Sequence, residues 1–229
     1  MFNLDGYLPT ILEGSIVTLQ IALLSLVLAL VLGILGALGK LSSHFFARKT
    51  AEIYTTLIRS VPDLILMLLI YFGGQVLVND LAYKLGYDDY IEISPFVAGV
   101  ITIGFIFGAY LTETFRGGIL AVPQGQLEAG RAFGMSPFKV FRRILLPQMM
   151  RHALPGLTNN WLVLLKTTAL VSIIGLDDLV RKANMAAGVT QKPFTFYLLV
   201  GAIFLVFTSV STLLLKRLED HYNPERRGR

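Results

Sequence analysis

PQGQLEAGRAFGMSPFKVFRRILLPQMMRHALP, residues 123–155, is a polar and basic stretch set between two strongly apolar runs. Its residues predict two short helices. The first covers about 124–133, where the small residues Ala129, Gly130 and Ala132 let another protein's surface approach the backbone closely. Gly134 ends it, since glycine accepts the left-handed conformation that a helix C-terminus often needs. Ser136 then offers an N-cap oxygen and Pro137 the preset φ of a first helical position, so a second helix starts there and stops before Pro147. Phe138, Phe141, Ile144 and Leu145 fall on one side of it, and Lys139, Arg142 and Arg143 on the other. A basic amphipathic helix of this kind either rests on anionic headgroups or docks on a partner protein.

Around that stretch the chain reads as a membrane protein. Of its 229 residues 54% are hydrophobic, above the roughly 45–50% of an ordinary soluble domain even when glycine is counted there. The absence of cysteine excludes disulfide scaffolds, thiolate metal sites and cysteine nucleophiles. His44, His152 and His221 are scattered, which gives no metal site or catalytic triad, and no G-x-x-x-x-G-K-[ST] loop is present to bind ATP. A net charge of +5 raises nucleic acid as a partner, but in a membrane chain the placement of charge matters more than its sum. No removable targeting signal is expected, because residues 1–13 lack a basic segment and the first apolar run is too long for a signal-peptide core.

An all-α integral membrane fold with five transmembrane helices is predicted, at about residues 16–38, 53–72, 95–115, 155–176 and 193–215. Pro62 interrupts the second span, and residues 79–92 form an acidic loop. Ala29, Gly33 and Ala37 in the first span, and Gly104 and Gly108 in the third, offer faces for close helix packing. Basic residues gather in three places. Lys40, Arg48, Lys49 and Arg59 flank the first connection, the loop at about 116–153 carries Arg131, Lys139, Arg142 and Arg143, and Lys216, Arg217, Arg226, Arg227 and Arg229 load the tail. The positive-inside rule sets all three in the cytoplasm, with the N-terminus outside and the C-terminus inside.

Glu128-Ala129-Gly130, three residues, Gly134, nine residues, then Ile144, Leu146 and Pro147 resembles the cytoplasmic "EAA" loop of permease subunits of ATP-binding-cassette importers, with glycine at a position usually alanine. Further stretches are similar to the polar amino acid branch of that family. They are Ile58 to Asp63 with Leu69 to Gly73, Ala109 to Gly118, and Asn159-Asn160-Trp161 with Leu165 to Ser172. Ser60 stands where glycine is usual, Thr167 where many relatives carry aspartate, and residues 79–89 match only loosely.

The resemblance implies a type I importer permease, one transmembrane domain over residues 1–229, in the bacterial cytoplasmic (inner) membrane. Glu128, Ala129, Gly130, Arg131, Gly134, Ile144, Leu146 and Pro147 would then form the part that couples to an ATPase. The expected substrates are basic amino acids: histidine, lysine, arginine and ornithine. The expected partners are a second homologous permease, two ATPase subunits that bind ATP and Mg, an extracytoplasmic amino acid-binding protein and membrane lipid. No cofactor in this chain, no metal, no catalysis of its own and no nucleic acid are expected.

Polar groups within the spans are the candidates for a substrate pathway. Asp63 and Glu113 are the acids, although Arg59 stands four residues from the first and Arg116 three from the second, which allows local ion pairs instead. Asn160, Thr167, Thr168 and Ser172 share one face of the fourth span, suited to a pathway lining or to hydrogen bonds between helices. Two other classes stay open. An ion-coupled secondary transporter would show internal repeats, which an odd number of spans does not accommodate, and a non-transporting scaffold leaves the central loop without a role.

Overall fold

The computed structural model describes residue 4 and residues 6–222, and the described residues are all helix, turn and loop. Asp5 and the tail arginines Arg226, Arg227 and Arg229 lie outside them. Helix α1 (Leu8–Leu41) is 34 residues long, starting well before the expected residue 16. At about 1.5 Å per residue it reaches some 50 Å, more than a hydrocarbon core of about 30 Å requires. Its extra N-terminal turns are held by protein. Ile11 is fully buried in an apolar cluster with Leu179, Ala183 and Phe196 from the far end of the chain.

The most extensive helix contact joins α1 to α4 (Pro95–Leu120), and it depends on small residues from both sides. A Cβ on Gly33 would lie 2.7 Å from the Leu111 Cβ, while one on Gly104 or Gly108 would press on Leu28 or Leu32. The two small-residue faces expected separately are thus partners of each other. Ser25 donates to the Val100 carbonyl at 3.3 Å, and Lys40 meets Glu113, so the two helices run parallel. Spans one and three cross in the same sense.

The expected second span is two helices. Helix α2 (Phe45–Ser60) ends at Val61, and α3 (Asp63–Lys84) begins after Pro62, whose ring disfavours a helical conformation in the residue before it. Of these two helices, α3 is the one long and apolar enough to cross a membrane. Helix α3 also continues through the first part of the expected acidic loop, because its side chains clamp the connection that follows. Asn79 Oδ1 accepts from the Ile91 backbone N–H at 2.8 Å, and Gln75 Oε1 accepts from that of Ile93 at 2.8 Å.

After α4, helix α5 (Gln124–Ala132) leads to α6 (Pro137–Val140), a π turn (Phe141–Leu145) and α7 (Leu146–Thr167). The stop expected before Pro147 does not occur. The Leu146 N–H bonds the Phe141 carbonyl five residues back, and this wider turn admits a proline that has no N–H to give. Pro155 is likewise inside α7, whose neighbours Ala153 and Leu154 are buried. The fourth span therefore lies within one helical rod, Pro137–Ile174, which starts well before the expected residue 155 and ends in a 3-10 turn (Thr168–Ile174). Of the loop expected at 116–153, residues 121–136 lie between the long helices that carry the third and fourth spans. Helix α8 (Leu179–Thr190) and α9 (Pro193–Tyr222) complete the chain, with the fifth span at Pro193–Asp220.

Candidate functional site

Three polar regions stand out. The first is the tip formed by α5 and α6. Gly134 has φ +77°, and the N–H groups of Met135 and Gly134 bond the carbonyls of Gly130 and Arg131 at 3.1 and 2.9 Å, closing α5 with a left-handed C-terminal cap. Ser136 caps α6 by accepting from the Lys139 N–H. Glu128, Ala129, Arg131 and Gly134 are exposed here, as is Pro147 at the start of α7. Gly130 is not available to a partner. It is buried, and a Cβ there would lie 2.5 Å from Ile144 Cδ1, so its smallness serves packing of α5 on the π turn. Ile144 and Leu146 are half-buried on that inner side.

Phe138 and Phe141 do not pack inward as a helical stripe would suggest: they are exposed, together with Phe133 at 89%. Arg131, Lys139, Arg142 and Arg143 are exposed among them. Three aromatic rings interleaved with four cations form one exposed apolar and basic surface at this end of the molecule.

The second region is a cleft of about 340 Å³ where α1, α2 and α4 meet, lined by Lys40, Glu113, Thr55, Thr56, Ser60, Arg59 and Tyr110. Glu113 Oε1 accepts from Lys40 and Oε2 from Arg116 Nε at 2.9 Å. The Arg116 contact is the local pair that the spacing allows. Lys40, 73 residues away in sequence, had no sequence signal except that both groups sit near the same end of parallel helices. Arg59 and Asp63 are separated by the break at Pro62, and no ion pair joins them among the described residues. Arg59 instead lies over the Tyr110 ring, 5.5 Å from its centroid. Behind the cleft, Tyr54 donates its hydroxyl to the Phe105 carbonyl at 2.5 Å, and burial pushes its phenol above the usual range.

The third region is the polar face of α7. Asn160 donates to Thr114 Oγ1 of α4 at 3.0 Å. Thr167, Thr168 and Ser172 donate to carbonyls of their own segment, at Val163, Leu165 and Ala169, and the two threonines are buried. Lys166 is exposed on a different face. Of the six candidate pathway residues Glu113 alone lines the α1–α2–α4 cleft, Asp63 stands at the start of α3, and the other four lie along α7 and the turn that follows it.

The opposite end of the molecule holds Asp178, fully buried as the N-cap of α8. Its Oδ1 accepts from the Arg181 N–H at 2.9 Å, while Oδ2 has no hydrogen-bond partner among the described residues. Burial, only partly offset by backbone N–H groups, pushes its carboxyl up to about 6. The Thr18 hydroxyl accepts from the Leu179 N–H at 3.2 Å and ties this cap to α1. No cluster of metal-ligating side chains occurs among the described residues.

Comparison with known proteins gives consistent findings. Residues 8–224 match the family described as binding-protein-dependent transport system inner membrane component. The chain is 52% identical over 220 residues, 96% of each chain, to the histidine/lysine/arginine/ornithine transport system permease protein HisQ of Escherichia coli. It is 40% identical over 224 residues, 98% of each chain, to the arginine ABC transporter permease protein of Haemophilus influenzae. Among solved structures, a chain from the crystal structure of an amino acid ABC transporter with histidines superimposes with a TM-score of 0.79 at 35% identity, covering 94% of this chain and 95% of that one. An inward-facing methionine ABC transporter chain shares the fold, with a TM-score of 0.65 at 18% identity over 93% and 94% of the two chains.

Proposed function

The chain belongs to the binding-protein-dependent transport system inner membrane components and is a multi-pass permease subunit of an amino acid ABC importer; from that premise we propose that it carries histidine, lysine, arginine and ornithine inward. Similarity over nearly the whole chain to permeases named for those substrates supports this choice. A second homologous permease completes the pathway, and an extracytoplasmic binding protein delivers the amino acid. Two ATPase subunits hold ATP and Mg, and this chain contributes no catalysis of its own.

The observation that carries the mechanism is the exposed α5–α6 tip, with Glu128, Ala129 and Arg131 beside Phe133 and Phe138. An ATPase groove seated on this tip would cover the exposed rings. Because α6, the π turn and α7 form one continuous rod, displacement of the tip is delivered to the fourth span, where Asn160, Thr167, Thr168 and Ser172 lie. Alternating access follows if each nucleotide state of the ATPase binds one of two rod positions better. Asn160 on Thr114 is a polar contact between spans three and four that this motion would load. Asp63 at the start of α3, Glu113 in the cleft and the polar face of α7 are the proposed pathway groups.

Proteoliposomes containing the co-purified complex, its binding protein and internal ATP test the reading. Saturable uptake of labelled lysine, arginine and histidine is expected, and it should cease without ATP. ATP-independent uptake, or uptake of neutral amino acids alone, would contradict it.

A further inference from the structure

Within the α1–α2–α4 cleft the balance of charge is positive. Glu113 is the only acid that lines it among the described residues, and both carboxylate oxygens are already engaged, one by Lys40 and one by Arg116. Arg59 adds a further cation, and no carboxylate meets it among the described residues. Arg59 lies over the Tyr110 ring, 5.5 Å from its centroid, and is exposed, with no carboxylate among the described residues paired to its N–H groups, which can bind a carboxylate in a bidentate fashion. Beside it, Thr55 and Ser60 have donated their hydroxyl protons to the carbonyls of Ala51 and Thr56, at 2.9 and 2.6 Å. Their oxygens remain able to accept. A guanidinium edge next to hydroxyl acceptors matches an anionic oxygen group carried beside an ammonium.

We infer that this cleft holds the α-carboxylate of the amino acid in transit, with Arg59 as its binding residue and the Thr55 and Ser60 oxygens facing the α-ammonium. The inference rests on the proposed transport of amino acids. It assigns the cleft to the part of the substrate that all amino acids share, and not to the cationic side chain, since the acid that a cationic side chain would need is already neutralised by two protein cations. A charged group leaving water inside a membrane protein needs such replacement partners. Lys40 and Glu113 lie towards the end of α1 and α4 from which the coupling tip projects, so the cleft would be occupied late in inward passage. A lipid phosphate would satisfy the same chemistry.

The test uses the complete importer in nanodiscs and proteoliposomes. Arg59→Gln should lower uptake of lysine, arginine and histidine alike, by about tenfold at saturating binding protein, and Arg59→Lys should restore part of it. Unchanged thermal midpoint and ATPase association would keep folding out of the result. Equilibrium binding of labelled lysine to the complex without binding protein should be displaced by arginine but about tenfold less well by lysinamide, which lacks the carboxylate. Arg59→Gln should abolish that difference. Equal displacement by lysinamide, or a wild-type complex that loses uptake as Arg59→Gln does when anionic lipid is replaced by phosphatidylcholine, overturns the inference in favour of an empty cleft or a headgroup phosphate. Absence of uptake in the wild type would instead contradict the transport reading itself.

Discussion

A carboxylate with one oxygen bonded and the other orphaned, as in Asp178, makes the α1–α8 junction sensitive to pH. Its pKa is raised in the folded protein, so the fold binds the proton more tightly than the unfolded chain. Stability is then greatest with the group protonated, falls as pH rises from the ordinary carboxylate range to about 6, and is level above that. Asp178→Asn keeps a capping oxygen for the Arg181 N–H and removes the charge. It should raise the thermal midpoint of the purified complex at pH 8, with the advantage shrinking as pH drops below 6. A lower midpoint at pH 8 would show that the buried charge is compensated. Glu113→Gln makes the opposite kind of change, leaving Lys40 and Arg116 facing each other without a counter-charge. With these groups only partly buried the cost should be about 1–3 kcal/mol, and uptake should fall equally for lysine, arginine and histidine. Loss confined to the cationic substrates would instead mark Glu113 as their direct contact.

The decisive elements are the short ones. Gly134 permits the reversal between α5 and α6 because its φ of +77° is available to glycine and closed to proline. Gly134→Pro should therefore unfold the cap, and Glu128→Lys should invert a charge at the exposed tip. Both variants should insert normally yet lose ATPase association or ATP-driven uptake, read by co-purification and by transport. Wild-type behaviour in both would remove the tip from the coupling path. The π turn before Pro147 is the element that makes a rod out of a docking helix and a span, and sequence rules favoured a break there. Proline is a reliable local stop, as the end of α2 before Pro62 shows, but a widened turn bypasses it where packing on both sides holds the helix.

Across the whole molecule, the contacts give each span a direction. Helix α1 is parallel to α4, while α7 is antiparallel to α4, with Gly118 against Ala153 and Gly99 against Val171. Phe196 near the start of α9 clusters with Ile11 and Leu179, so α9 runs away from the Asp178 end, and its late residue Glu219 accepts from Thr158 of α7 at 2.7 Å. Lys40, the α5–α6 tip and Lys216 consequently share one end of the bundle, and Asp178 with the connection after α3 lies towards the other. A cytoplasmic basic end predicts that reporters inserted near Arg143 and fused after Arg229 report the cytoplasm, and that one near Asp88 reports the outside. An external signal near Arg143 would place the tip out of reach of any ATPase.

Composition, hydropathy and charge placement were enough to establish a five-span helical membrane protein, because the bilayer demands long apolar helices with internally satisfied backbones and leaves basic residues at one surface. Spacing at Glu128, Gly134 and Ser136 was enough to place the α5–α6 tip, since caps and left-handed turns are local. Tertiary packing alone decided the rest. It turned the faces around Gly33 and Gly104 towards each other, continued α7 through Pro147 and Pro155, and buried Gly130 against Ile144. It also gave Glu113 a second cation, Lys40, and laid Arg59 over Tyr110. Each of these joins residues that local rules treat separately, so the energy that selects it exists only once the helices have met.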